Sequence, residues 1–286
     1  MTDQPFDPQQ YKERGRQQWD SVAAGWRKWW RTFESGGQHI SDHLVDLAGV
    51  QPGHKVLDIA TGIGEPALTA ARRVGTQGRV TATDSAPQML ALAAERGAEA
   101  HLDNLDFREM DAEALDFTES SFDAILCRWG LMFLPNLEQA LGGIRRLLRP
   151  GSLFAATVLS TPPKMPVLSM PMGVIGKMIE VPTPPPGTPG PFALADIAAL
   201  EQTFRRAGFS DVRSQSLTIE FQWTSAQDYT QFTRDVAAPV KALLAQQAPE
   251  MQDKAWAAIT EAAAEFAQPD GTVAMPSETF SIVGRG

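Results

Sequence analysis

Residues 56–84 read VLDIATGIGEPALTAARRVGTQGRVTATD, and their order decides the fold. KVLDIA (55–60) is a short apolar run that leads into a turn holding Gly62 and Gly64. PALTAARRVG is a helix with Pro66 in its first turn and Gly75 beyond its end, and RVTATD is the next strand. A strand, a glycine turn, a helix and a second strand within thirty residues make a βαβ unit with a parallel pair.

The same rhythm runs outward. SAPQMLALAAERG is a helix that Ser85 is expected to cap and Gly97 to end. LDFREMD and FDAILCR are two further strands; LEQALGGIRRLL is a helix stopped by Pro150–Gly151, and LFAATVLS is a fifth strand. This alternation predicts an α/β fold with a doubly wound parallel sheet. Ten of the 21 prolines then fall between residues 162 and 191, which predicts an extended or short-helical excursion rather than a long helix or a central strand. A helix resumes at 194–207, LTIEFQW is a strand, and Ser225 with Asp228 forms a capping-box pattern opening an Ala-rich helical stretch to about residue 267. ETFSIVG is a final strand.

Before the first strand, residues 11–35 form an amphipathic helix. Trp19, Val22, Trp26, Trp30 and Phe33 share one face. Gly36–Gly37 is expected to act as a hinge, with a second helix after it over about 38–49. The expected organisation is an N-terminal helical lid (1–50), a core (51–160), a Pro-rich cap segment (161–193), and a C-terminal part of the core (194–286) with a helical insertion at 225–268.

Composition narrows the function. A net charge of −9 argues against a nucleic-acid partner, whose affinity rests on clustered Lys and Arg. The single cysteine, Cys127, excludes an intrachain disulfide and a multi-thiolate zinc site, and no metal is expected. No apolar run approaches the ~20 residues of a membrane span. The polar start MTDQPFDPQQ is not a signal peptide, so a cytoplasmic location is expected.

Three acidic residues stand at the carboxyl ends of successive strands, where α/β sheets bind ligands. Asp58 precedes the Gly62–Gly64 turn. Asp84 lies 22 residues beyond Gly62, the spacing at which an acid reaches a ribose diol. Asp111, in REMDAEAL, can accept from an adenine amino group.

The segments VLDIATGIGEP, VTATD, MDAEAL and FDAILCRWGLMFLPNLEQALGGIRRLLRPG resemble the class I (Rossmann-like) S-adenosylmethionine-dependent methyltransferases, in particular the group similar to the ubiquinone/menaquinone-biosynthesis C-methyltransferases. The resemblance implies a seven-stranded, mostly parallel sheet whose last strand is antiparallel. It implies S-adenosyl-L-methionine as cofactor, with Asp58, Ala60, Gly62 and Gly64 around the methionine part. Asp84 and Ser85 would hold the ribose, Met89, Asp111 and Ala112 the adenine, and Cys127 and Arg128 the other side. Two departures matter. The quinone-pathway enzymes carry an Arg-Asn pair where this chain has RWGLMFLPN, which puts a quinone acceptor in question. The Asn/Asp-Pro-Pro-aromatic motif of nucleic-acid amino-methyltransferases is absent from that place.

GIGEPA also fits a dinucleotide pattern with Ala67 as third small residue, so an NAD(P)-dependent oxidoreductase is the alternative, and a noncatalytic methyltransferase-fold binding module is another. Asp58 at the strand end, ahead of the turn, favours the methyltransferase. The acceptor is expected to be small and apolar or aromatic, lined by Trp26, Trp30, Trp129 and Phe133, with Arg128 on an acceptor oxygen and His39 as the candidate base.

Overall fold

The computed structural model describes residues 6–182, 185 and 187–286. Residues 1–5 of the expected lid, and 183, 184 and 186 of the expected cap segment, lie outside the described residues.

Five strands alternate with helices as the apolar runs require: β1 (Lys55–Ile59), β2 (Arg79–Asp84), β3 (Leu105–Glu109), β4 (Phe122–Arg128) and β5 (Leu148–Leu159), followed by β6 (Ser210–Trp223) and β7 (Val273–Arg285). They form one sheet in the order β3-β2-β1-β4-β5-β7-β6. The first five are mutually parallel, and β7 runs antiparallel to both β5 and β6. The order reverses between β1 and β4, so the crevice for a ligand opens at their carboxyl ends.

Period-two alternation sends neighbouring side chains to opposite faces. Val56, Ala124, Leu126 and Ala155 pack under α2 (Ala67–Val74) and the end of α1 (Pro8–Leu47). Leu57, Ile125, Cys127 and Phe154 pack against α4 (Leu137–Leu147) and α6 (Ile197–Arg206). The helix α3 (Pro87–Glu99) covers β3, where Gly97 lets Leu105 and Phe107 approach. A second core gathers α5 (Pro166–Ile175), α7 (Ala226–Val236), α8 (Ala238–Leu244) and α9 (Pro249–Ala264) on the far half of the β6–β7 ribbon.

Several local expectations are corrected. Gly36–Gly37 is no hinge: α1 runs unbroken through both residues, which are buried. A Cβ on Gly36 would lie 2.5 Å from the Glu220 carbonyl oxygen, and one on Gly37 3.3 Å from Arg128 Nη1. These glycines let the helix backbone touch its neighbours, which outweighs their poor helix propensity. Ser85 does not cap α3. Asp84 Oδ1 instead accepts from the Ala86 amide at 2.9 Å, and Asp20 Oδ1 on α1 accepts from the Gln88 amide at 3.0 Å. Gly97 lies inside α3. Pro150–Gly151 falls within β5, and the Ala-rich stretch is three helices rather than one. Ser225 does cap α7, accepting from the Asp228 amide at 3.1 Å.

The glycines of α1 give a paired prediction for chemical denaturation. Gly36→Ala should destabilise by about 2–3 kcal/mol, because the new methyl meets backbone that cannot yield. Gly15→Ala meets nothing within 4 Å and should stabilise by roughly 0.5–1 kcal/mol. Equal effects at the two positions would show that the α1 contact at Gly36 is not close-packed.

Candidate active site

β1 delivers Asp58 into a fully buried position. Its Oδ2 accepts from the Ala67 amide at the start of α2 (3.0 Å), and its Oδ1 has no partner among the described residues. Burial pushes the carboxyl up to about 7, against the opposing pull of Thr61 and the Arg128 charge. The chain then turns through Ala60 (φ 55°), Gly62 (φ 55°) and Gly64 (φ 105°). Gly64 is required twice over, by its φ and because Leu68 and Ala93 stand 3.2–3.3 Å from where a Cβ would sit. Opposite Ala60, Gly130 after β4 brings the two turns together; a Cβ there would be 2.7 Å from that of Ala60.

Asp84, at the end of β2, accepts from the Gly62 amide through Oδ2 (2.8 Å) and from the Ala86 amide through Oδ1. One carboxylate thus ties the glycine turn to the start of α3. Burial nonetheless raises its pKa, the backbone bonds opposing. Each oxygen keeps a further lone pair for a hydroxyl donor. Ser85 is exposed, while Met89 is buried against Ile63 and Leu92. Asp111 accepts from the Glu113 amide (2.9 Å) and from Lys12 Nζ (2.7 Å). Ala112 lines an open cleft of about 360 Å³ with Leu115, Gln139 and Gly142.

Lys12 and Glu113 escaped sequence reading. Lys12 also donates to Glu113 Oε2 at 2.9 Å, and Glu113 accepts from Asn136 N and Nδ2. Burial works against the Lys12 charge, but the two carboxylates outweigh it and raise its pKa. With Asp20 at α3, these bonds lay the N-terminal half of α1 across the carboxyl edge of β1–β3.

Two site expectations, at Arg128 and His39, are corrected. Arg128 does not face an acceptor: its guanidinium is in a bidentate ion pair with Glu34 of α1 (2.7 and 2.9 Å), and also donates to Gly37 O and Ser41 Oγ. Burial opposes its charge, but Glu34, Glu65 and Asp58 outweigh this and hold the pKa above its ordinary value. His39 is not a base in the site; it is exposed on α1. One turn on, His43 is packed instead, with Nε2 3.1 Å from Ser281 Oγ and burial lowering its pKa. The Cys127 thiol packs in the α4-side core beside the Gly130 turn, pushed up to about 12 by burial. Trp30 packs on the same apolar cluster as Trp19 and Trp26, with the Arg96 guanidinium over its ring, 4.3 Å from the centroid. Arg96 meanwhile holds the glycine turn through Ile63 O at 2.6 Å.

The other expected lining residues are brought together. Trp129 Nε1 donates to Thr279 Oγ1 (2.9 Å), and its ring meets Phe33 edge-on at 5.7 Å. Phe133 meets Trp19 at 5.6 Å and Trp26 meets Phe33 at 4.8 Å, both edge-on.

A reversing parallel sheet, a positive-φ glycine turn and acids at three successive strand ends mark the carboxyl edge of the sheet as the candidate ligand site. Residues 56–151 match the methyltransferase domain family. It is 37% identical over 131 residues to the 2-phytyl-1,4-naphtoquinone methyltransferase of Synechocystis, covering 43% of this chain and 53% of that protein. It is 36% identical over 110 residues to the ubiquinone/menaquinone biosynthesis C-methyltransferase UbiE of Hydrogenovibrio crunogenus, covering 38% of this chain and 43% of that one. The chain thus spans about half the length of the curated relatives it matches. In fold it is similar to the YcgJ protein of Bacillus subtilis (TM-score 0.56, 19% identity, 87% of this chain and 98% of that one). It is also similar to the [4+2]-cyclase SpnF (TM-score 0.53, 20% identity, 86% and 79%).

Two measurements test this electrostatic arrangement. Glu34→Ala leaves a buried guanidinium uncompensated and should cost about 3–5 kcal/mol in urea unfolding, most of it recovered in Glu34→Leu with Arg128→Met. A small loss in the single variant would mean that water reaches Arg128. Asp58 concerns pH. Its folded pKa of about 7 lies above the ordinary 3.8, so the native state binds the extra proton between these values. Stability should therefore fall as pH rises from about 4 to 7, by up to about 1.4 kcal/mol per unit from this group. Asp58→Asn, neutral throughout, should flatten that slope.

Proposed function

We propose that the chain transfers a methyl group from S-adenosylmethionine to a small, neutral, apolar or aromatic acceptor. The observation that carries the reading is the orphaned Oδ1 of buried Asp58, beside the glycine turn that Asp84 holds open. An unpaired buried acceptor fits an ammonium donor such as the methionine amino group, which would also favour the ionised carboxylate. The free lone pairs of Asp84 suit the two ribose hydroxyls. Asp111 and the backbone at Ala112 suit the adenine edge, and Met89 its face.

The bound cofactor supplies an electrophilic methyl on a sulfonium that is already a good leaving group. The protein's part is alignment and exclusion of water. The α1 helix supports that part: Lys12, Asp20 and Glu34 tie it to the ends of β3, α3 and β4. Its aromatic face continues through Phe33 to Trp129, next to the strand end where the methyl would be presented. The net charge of −9 supports a small molecule over a nucleic acid as acceptor. A lone buried thiol supports a reducing, cytoplasmic setting. Among the described residues no helix is long and apolar enough to cross a membrane.

Calorimetry tests the cofactor. S-adenosylhomocysteine should bind, NADH should not, and Asp84→Ala should weaken the former by about 1.5–3 kcal/mol. Tight NADH binding would move the chain to the oxidoreductases.

A further inference from the structure

Asp111 is the last of four polar side chains that are bonded in series. Asn136, just before α4, donates to Glu113 through its backbone amide (2.6 Å) and through Nδ2 (2.9 Å). Glu113 Oε2 accepts from Lys12 Nζ at 2.9 Å, and the same ammonium donates to Asp111 Oδ2 at 2.7 Å. Side-chain exposure rises along the series, from 2% at Glu113 through 21% at Lys12 to 37% at Asp111. The buried end is held by the start of α4, and the open end is the acid that follows β3.

A lysine on its long stem would hold a carboxylate poorly by itself, because ordering it costs rotamer freedom. Glu113 offsets this: it is almost out of solvent, Asn136 pins it twice, and it keeps Nζ in one place. Tyr11, one residue earlier, adds a second tether, its hydroxyl donating to Pro189 O at 3.1 Å. The Glu34–Arg128 pair fixes α1 further along, so Lys12 is presented from a helix that does not slide. With Nζ fixed, both oxygens of Asp111 are fixed, since Oδ1 already accepts from the Glu113 amide at 2.9 Å. An ionised carboxylate has about two acceptor sites on each oxygen. One on each is used here and one on each is left, in a plane that is no longer free to rotate. An acceptor set in this way selects an amino group and rejects a carbonyl, whose lone pairs would meet its own.

We propose that Lys12 is a positioning residue for ligand recognition: by holding the Asp111 carboxylate in one plane, it makes the site select a 6-aminopurine over a 6-oxopurine. Lys12 acts through Asp111 and touches neither the base nor the reacting atoms. That the purine belongs to S-adenosylmethionine rests on the proposed function.

The test compares S-adenosylhomocysteine with S-inosylhomocysteine, in which a carbonyl replaces the purine amino group, by calorimetry on the full chain. The wild type should prefer the adenosyl compound by about tenfold or more, because a carbonyl facing a fixed carboxylate loses a hydrogen bond and gains a repulsion. Lys12→Met should weaken the adenosyl compound about fivefold and the inosyl compound by less than about twofold, so that the preference nearly vanishes. Lys12→Arg should restore it. Arg16→Met removes a charge one turn on, where the partner is Glu13 of the same helix, and should leave the preference as it is. Retained affinity for the inosyl compound shows that the Lys12→Met chain is folded. Equal weakening of both compounds would make Lys12 a structural tie only, and a larger loss of the inosyl compound would make it a direct contact to the base; either overturns the proposal, as does an unchanged preference. A wild type that binds both compounds equally overturns this proposal alone, whereas one that binds neither overturns the methyltransferase reading with it.

Discussion

The ion pair between Arg128 and Glu34 sets how the two halves of the molecule meet. Its side chains are 5% and 7% exposed, and two parallel N–H···O bonds fix both its distance and its plane. Desolvating two charges is costly, so the pair makes sense as a register device more than as a source of stability. It locks one position along a 40-residue helix to the end of the central strand β4. Gly37 presents its carbonyl to the same guanidinium, and Gly36 lets the helix seat on β6. From that fixed point α1 extends across the strand ends, where Asp20 and Lys12 meet their partners. Moving the anchor by one residue would rotate all of these contacts off the sheet.

Around this anchor the acids of the site are held in three different ways. Asp84 spends its bonds on backbone amides and so shapes the turn. Asp111 is paired with a mobile type of cation, a lysine on a long stem. Asp58 is left half satisfied, and burial pushes its carboxyl up to about 7. Glu65, buried beside Glu34 and Arg128, adds to the negative field there, and its own pKa is raised by burial and by Glu34.

Much of the sheet domain was legible in the sequence because its signals are local. KVLDIA, RVTATD and FDAILCR are apolar runs of strand length, and a glycine turn or a strand-end acid follows each at short range. What sequence reading missed is non-local. Lys12 meets Asp111 across 99 residues, and Glu34 meets Arg128 across 94, so no window of chain contains either pair. Gly36–Gly37 read as a hinge because propensity is a local quantity; packing against Glu220 and Arg128 decided otherwise. His39 and His43 sit on the same helix, and which of them faces β7 depends on the rotation that the Arg128 anchor imposes.

The division of the chain into a matched and an unmatched part follows the same line. The region that matches the methyltransferase domain family, 56–151, contains Asp58, Asp84, Asp111 and the glycine turn. The aromatic side chains of α1, β6 and α7 lie outside it. RWGLMFLPN, in place of the Arg-Asn pair, lies where the two halves touch: Arg128 is turned to α1, and Trp129 to Thr279 and Phe33. The residues after β4 therefore hold the aromatic wall in place through Trp129.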